Sequence, residues 1–217
     1  MEQTNNNNRM KFYLVHLIAG IIVVACLLMN GPMRGGLPVD NTLSERMTFI
    51  VEHQVIWQFS WCIWMLCALG LFTFCAILAD NLKPSLFRNL GLAFVAMGIV
   101  PDLSAEVLYA FVIPNLIHSN TSLETLSALE VIATHLTGFL GNGLYNLGGM
   151  LLTLIAIQEG LIRSWVAIWG ITAWVLGLML SFSIALNAMQ AAELFTATSM
   201  VLSTMWMLIF AHKVLQR

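Results

Sequence analysis

The chain has 217 residues, 59% of them hydrophobic and only 9% charged, with a formal net charge of -2 and a mean hydropathy of +0.84. Soluble domains carry about 25% charged residues, so this composition leaves too little polar surface for a protein that lives in water. The slightly acidic balance and the lack of any basic cluster argue against a nucleic-acid partner.

The first eleven residues, MEQTNNNNRMK, are polar and predict a disordered tail over 1–11. Six apolar runs follow, near Phe12 to Met29, Val55 to Ala79, Leu86 to Pro114, Val131 to Ile157, Ser164 to Leu186 and Leu194 to Ala211. Each is long enough to cross a hydrocarbon core of about 30 Å as a helix, the form in which a chain satisfies its own backbone in lipid. The predicted fold is all-α, a polytopic membrane bundle of six transmembrane helices over 12–212, with a short C-terminal tail over 213–217. The expected long connections are Asn30 to His53 and Asn115 to Glu130, which follow odd-numbered spans and share one side.

Orientation follows from the basic residues. Arg9, Lys11, Lys83, Arg88, Arg163, Lys213 and Arg217 flank the side of the termini, whereas only Arg34 and Arg46 fall on the other. The positive-inside rule makes both termini cytoplasmic and the two long connections external, as expected in a bacterial inner membrane.

The four cysteines, Cys26, Cys62, Cys67 and Cys75, lie in apolar runs and form no C-x-x-C pair, which reads as packing. Val23-Val24-Ala25-Cys26 loosely resembles a lipoprotein cleavage box, but apolar Leu27 to Met29 continue beyond the cysteine and favour an uncleaved span. Trp57 and Trp61 recur as Trp165 and Trp169 at an equal offset, which suits either an inverted three-helix repeat or ordinary interfacial anchors.

The third run holds the residues that carry chemistry. Asp102 lies about 21 Å along the helix from Arg88 at about 1.5 Å per residue, and Glu106 is a turn further. Ionisable groups inside a span are costly and mark function by default. Asp102, Glu106 and Tyr109 are spaced i, i+4, i+7 and share a face, with Pro101 just before them as a helix end or a kink around a cavity. On the fourth run His135, Asn142, Asn146, Gly149 and Thr153 also form one stripe at α-helical spacing, and Asn187, Gln190 and Glu193 cluster at the outer junction of the last two runs. Gly138, Gly141, Gly148 and Gly149 suit close backbone approach, and the Asn and Thr groups suit interhelical hydrogen bonds. His16 and His212 sit near the cytoplasmic ends without an acidic partner in view.

Three functions fit this pattern. The first is an outward-opening pocket that binds or transports a small ligand or ion, with proton coupling through the two carboxylates and with Tyr109, His135, Asn142 and Asn146 around them. The second is a metal centre on His53, Asp102, Glu106 and His135, or a haem held by the two histidines. The third is a subunit or assembly factor whose polar groups meet partner helices or a second copy; thirteen Met and seven Trp suit such a surface. Gly138 to Leu144 lies inside a span and follows no strand, so it is no nucleotide fingerprint.

Overall fold

The computed structural model describes residues 2–216, which are helical with short connections and, among the described residues, no strand. Among the described residues nine α-helices run in order: α1 (Glu2–Asn30), α2 (Leu43–Glu52), α3 (Gln54–Asp80), α4 (Leu86–Val107), α5 (Ile113–His118), α6 (Leu123–Thr134), α7 (Asn142–Gln158), α8 (Ser164–Ala185) and α9 (Met189–Phe210). Three π-helical segments, Leu108–Val112, His135–Gly141 and Ala211–Leu215, join α4 to α5, join α6 to α7, and extend α9. The result is six continuous rods long and apolar enough to cross a membrane: Asn6–Asn30, Gln54–Asp80, Leu86–His118, Leu123–Gln158, Trp165–Ala185 and Met189–Leu215. This is a polytopic membrane helix bundle.

The rods exceed the apolar runs at several ends. The tail expected to be disordered is helical from Glu2, because adding residues to an existing helix costs far less than nucleating one. Lys11 on this helix pairs with Asp80 at the end of α3. The C-terminal segment likewise stays helical to Leu215; Met1 and Arg217 lie outside the described residues. The second expected long connection shrinks to residues 119–122, since Asn115 to His118 complete α5 and Leu123 to Glu130 begin α6 behind a Ser122 cap. The first long connection folds too: a 3₁₀ turn at Arg34–Gly36 precedes α2, which starts with a Thr42/Glu45 capping box.

Neighbours in sequence are neighbours in space, and α1 closes against α9, so the six rods stand in a ring. Both chain ends lie at one end of the ring, called here the terminal side; α2 and the connection at 119–122 lie at the other, the loop side. Small residues set the closest approach, between α4 and α7. A methyl group on Gly148 would sit 2.4 Å from the Gly91 carbonyl oxygen, and one on Gly98 would sit 2.7 Å from that of Gly141. Only hydrogen fits there, as in small-residue packing of membrane helices.

The terminal half of the ring is filled. Phe74, Trp174, Trp206 and Phe210 interlock edge to face at centroid separations of 5.0–5.7 Å, surrounded by Val15, Ile18, Leu78, Leu152 and Met207. Outward-facing Val55, Ile168, Phe182 and Leu194 are exposed, as lipid-facing side chains must be in a bundle of this kind.

Candidate functional site

Toward the loop side the ring does not fill. A cavity of about 360 Å³ opens between the helices and reaches a rim formed by Leu37, Pro38 and Val39 on one side and Met189, Gln190 and Glu193 on the other. Its walls draw on all six rods, including Ile22, Trp64, Tyr145, Trp174 and Met207.

Asp102, Glu106 and Tyr109 all face this space from the third rod. Pro101 neither ends α4 nor breaks the rod, which runs on through Val107 into the π segment. Asp102 is 6% exposed and accepts a hydrogen bond from the Thr137 hydroxyl. Glu106 is 3% exposed, and its Oε2 meets no donor. No basic side chain lines the cavity among the described residues.

The π segment after Glu106 leaves one carbonyl free. In i→i+5 bonding the natural donor to the Tyr109 carbonyl is residue 114, and Pro114 has no N–H. The Trp57 indole donates to that carbonyl instead, at 2.8 Å. Trp61, a turn further along α3, then stacks flat on the Tyr109 ring at 4.6 Å between centroids. The Tyr109 hydroxyl is engaged with α6, reaching Thr134 Oγ1 at 2.8 Å and the Glu130 carbonyl at 3.3 Å.

The fourth rod departs from its predicted stripe. A π turn advances less per residue than an α turn, so the step of seven from His135 to Asn142 does not return to the same face. Thr137 and Gly138 face the cavity, and His135 turns away, its Nδ1 donating to the Val131 carbonyl at 2.9 Å. Asn142 and Asn146 do line the cavity, yet their side chains are largely committed to each other and to α8. Asn142 Nδ2 donates to the Gly177 carbonyl (2.8 Å) and to Ser181 Oγ (2.9 Å), and Asn146 Nδ2 donates to Asn142 Oδ1 (2.8 Å). Gly177 makes room for this ladder, since a methyl group there would sit 2.1 Å from Asn146 Oδ1. Thr153 accepts from the Trp174 indole at 2.8 Å.

The four residues read as a metal set do not converge. His53 caps the junction of α2 and α3, stacked on Phe49 with its Nδ1 donating to the Phe49 carbonyl at 3.1 Å, and it lies outside the cavity with His135. Among the described residues no group of three or more His, Cys, Asp or Glu is placed to hold a metal ion. The two equally spaced tryptophan pairs also differ: Trp57 and Trp61 are buried, whereas Trp165 is 46% exposed. His16 and His212, unpaired in the sequence reading, face each other at 3.3 Å between Nε2 atoms on the terminal side.

Three features escaped the sequence reading. Arg46 and Glu130 form a buried ion pair above Tyr109, with Arg46 Nη2 to Glu130 Oε2 at 2.8 Å, although both looked like loop charges. Trp61 and Trp64 line the cavity with buried indole N–H groups that meet no acceptor. Arg34 pairs with Asp40 (2.8 Å) and with Glu193 at the rim (3.3 Å). The T-x-x-E pattern at Thr42 was the one local signal that α2 exists, and hence that Arg46 sits on a helix. No family model, curated protein or solved structure matches this chain.

Proposed function

We propose that this integral membrane protein binds a small ligand or ion in the central cavity and transports it by opening that cavity to one side. The observation that carries this reading is Glu106: a buried carboxylate with an unpartnered oxygen, beside Asp102, on the wall of a 360 Å³ space. A buried charge left without a partner is costly, and native proteins keep one in a membrane chiefly where something else completes it. The cavity volume lies in the range of small-molecule sites, and its mainly apolar wall with a few converging polar groups is their usual construction. The paired carboxylates supply the proton exchange that a coupled carrier needs.

The basic residues flanking the terminal side support cytoplasmic termini in a bacterial inner membrane, so the rim at Leu37 to Val39 and Glu193 faces outward. The test is a ligand screen by thermal unfolding of the purified protein in detergent, with tryptophan emission as a second readout because Trp61 and Trp64 line the site. A hit at about 100 times its Kd adds about 2.7 kcal/mol of stability. Hits whose stabilisation vanishes in Glu106→Gln and Asp102→Asn support the reading. Hits indifferent to both variants would remove it.

A further inference from the structure

We infer that the guest of this cavity is a small amphiphilic organic monocation carrying an acceptor oxygen, its ammonium lying between Asp102 and Glu106 and its apolar body against the aromatic wall. This rests on the cavity being a ligand site and specifies the chemistry of what enters.

Charge comes first. Asp102, Glu106 and, at the rim, Glu193 are the carboxylates of the cavity, and no Lys, Arg or His is among its lining residues. The same protein treats the partly buried carboxylate of Glu130 differently: it is held by two guanidinium contacts from Arg46. Among the described residues the one side-chain hydrogen bond to Asp102 or Glu106 comes from the neutral Thr137 hydroxyl. These carboxylates are therefore completed either by a proton or by positive charge that comes with the guest, and a cationic guest exchanges for that proton.

The side chains alone do not complete the shell of a hard metal. Calcium takes 6–8 oxygens and magnesium an octahedron. Here Asp102 Oδ1 already accepts from Thr137, Asn142 Oδ1 accepts from Asn146, and the remaining free carboxylate oxygens fall short of such a shell. An organic monocation needs no such shell: an N–H ammonium is met by two or three acceptors, and a quaternary one by carboxylate charge and aromatic faces.

The wall fits an organic body. Trp61, stacked on Tyr109, stands with Trp64, Tyr145 and Trp174 around the space, and Ala173 and Met207 complete an apolar floor. Aromatic faces attract cations as well as apolar groups. The indole N–H groups of Trp61 and Trp64, buried and unpartnered, call for an acceptor on the guest, which a hydroxyl or ether oxygen near the ammonium supplies. At about 30 Å³ per water-sized volume, the cavity admits on the order of a dozen heavy atoms. Amino-alcohol and amino-ether chemistry meets all of these requirements.

The probes are choline phenyl ether, its neutral carbon isostere 3,3-dimethylbutyl phenyl ether, and trimethyl(3-phenylpropyl)ammonium, which keeps the charge but lacks the oxygen. Binding to the full chain in phosphatidylcholine nanodiscs is followed by tryptophan emission and calorimetry, with empty nanodiscs subtracted. The expected result is at least tenfold tighter binding of choline phenyl ether than of the neutral isostere. Glu106→Gln and Asp102→Asn should each remove tenfold or more of the cation's affinity and leave the isostere unaffected. The ether oxygen should contribute a few-fold, lost in Trp64→Phe, and unfolding of each variant confirms that it is folded. If the isostere binds as tightly as the cation, or the carboxylate variants leave the cation's affinity intact, the monocation inference is wrong and the ligand site stands. If no probe binds at millimolar concentration, the monocation inference is wrong, and the ligand site is decided by the wider screen.

Discussion

Six of the seven tryptophans show how differently the two halves of this bundle are built. On the terminal side Trp174 donates to Thr153 and Trp206 donates to the Val166 carbonyl, and both rings sit in a closed aromatic cluster. On the loop side Trp57 is satisfied by the carbonyl that Pro114 frees, while Trp61 and Trp64, which line the cavity, donate to nothing. Trp165 lies on the exterior. Trp174 also reaches the cavity wall but is satisfied by Thr153, so among the described residues the buried, unsatisfied indoles are the two on α3, in the same half as Glu106. The lesson is that orphaned polar groups are local to one half of the bundle and so describe a site, since general looseness would scatter them through both.

The comparison can be broken first at its solid side. Trp206→Ala should cost about 3–5 kcal/mol in reversible unfolding in detergent, because a fully buried ring and its hydrogen bond leave a large void. A loss below about 1 kcal/mol would mean the terminal half is not the stable half. At the cap of the loop side, Arg46→Leu should cost about 3 kcal/mol by leaving Glu130 buried and unpaired, and adding Glu130→Gln should restore most of it. Additive losses in that double variant would contradict a paired origin.

Next comes Gly148→Ala, which forces a methyl group against the Gly91 carbonyl and should cost about 1–3 kcal/mol as α4 and α7 separate. Glu106→Gln tests the open side. Replacing an unpartnered carboxylate by a neutral amide should change stability by less than about 1 kcal/mol, in either direction, while the ligand response disappears. A severe loss of stability there would show that Glu106 is a structural group.

The smallest expected effect is at α2. The Thr42 hydroxyl and N–H both donate to the Glu45 carboxylate and hold it below the ordinary glutamate range. The ionised form therefore favours the folded cap; its contribution is complete above the ordinary pKa of about 4.3 and is lost as pH falls through the lowered one. Amide exchange in α2, relative to that in α3, should rise below about pH 4 in the natural protein and stay flat in Glu45→Gln.

Legibility tracked the range over which each signal acts. The six rods were readable because a spanning helix announces itself by some twenty apolar residues, with no need of its neighbours. The face shared by Asp102 and Glu106 was readable because the segment between them is regular α-helix, and Tyr109 keeps to it because the π segment begins only at Leu108. His135 was misassigned because a π segment is invisible to α-helical spacing, and Thr137 was passed over for the same reason. Arg46 and Glu130 were hidden by a sequence separation of 84 and by the custom of reading charges between apolar runs as solvated.

By itself, then, the sequence determined that this protein is a six-helix membrane bundle and that one helix carries two carboxylates at a depth where charge is costly, because both follow from local composition and helical period. Tertiary structure alone decided which polar groups satisfy one another and which are left facing a cavity. Hydrogen-bond satisfaction is a property of pairs distant in sequence, and no reading of one rod at a time supplies the partner.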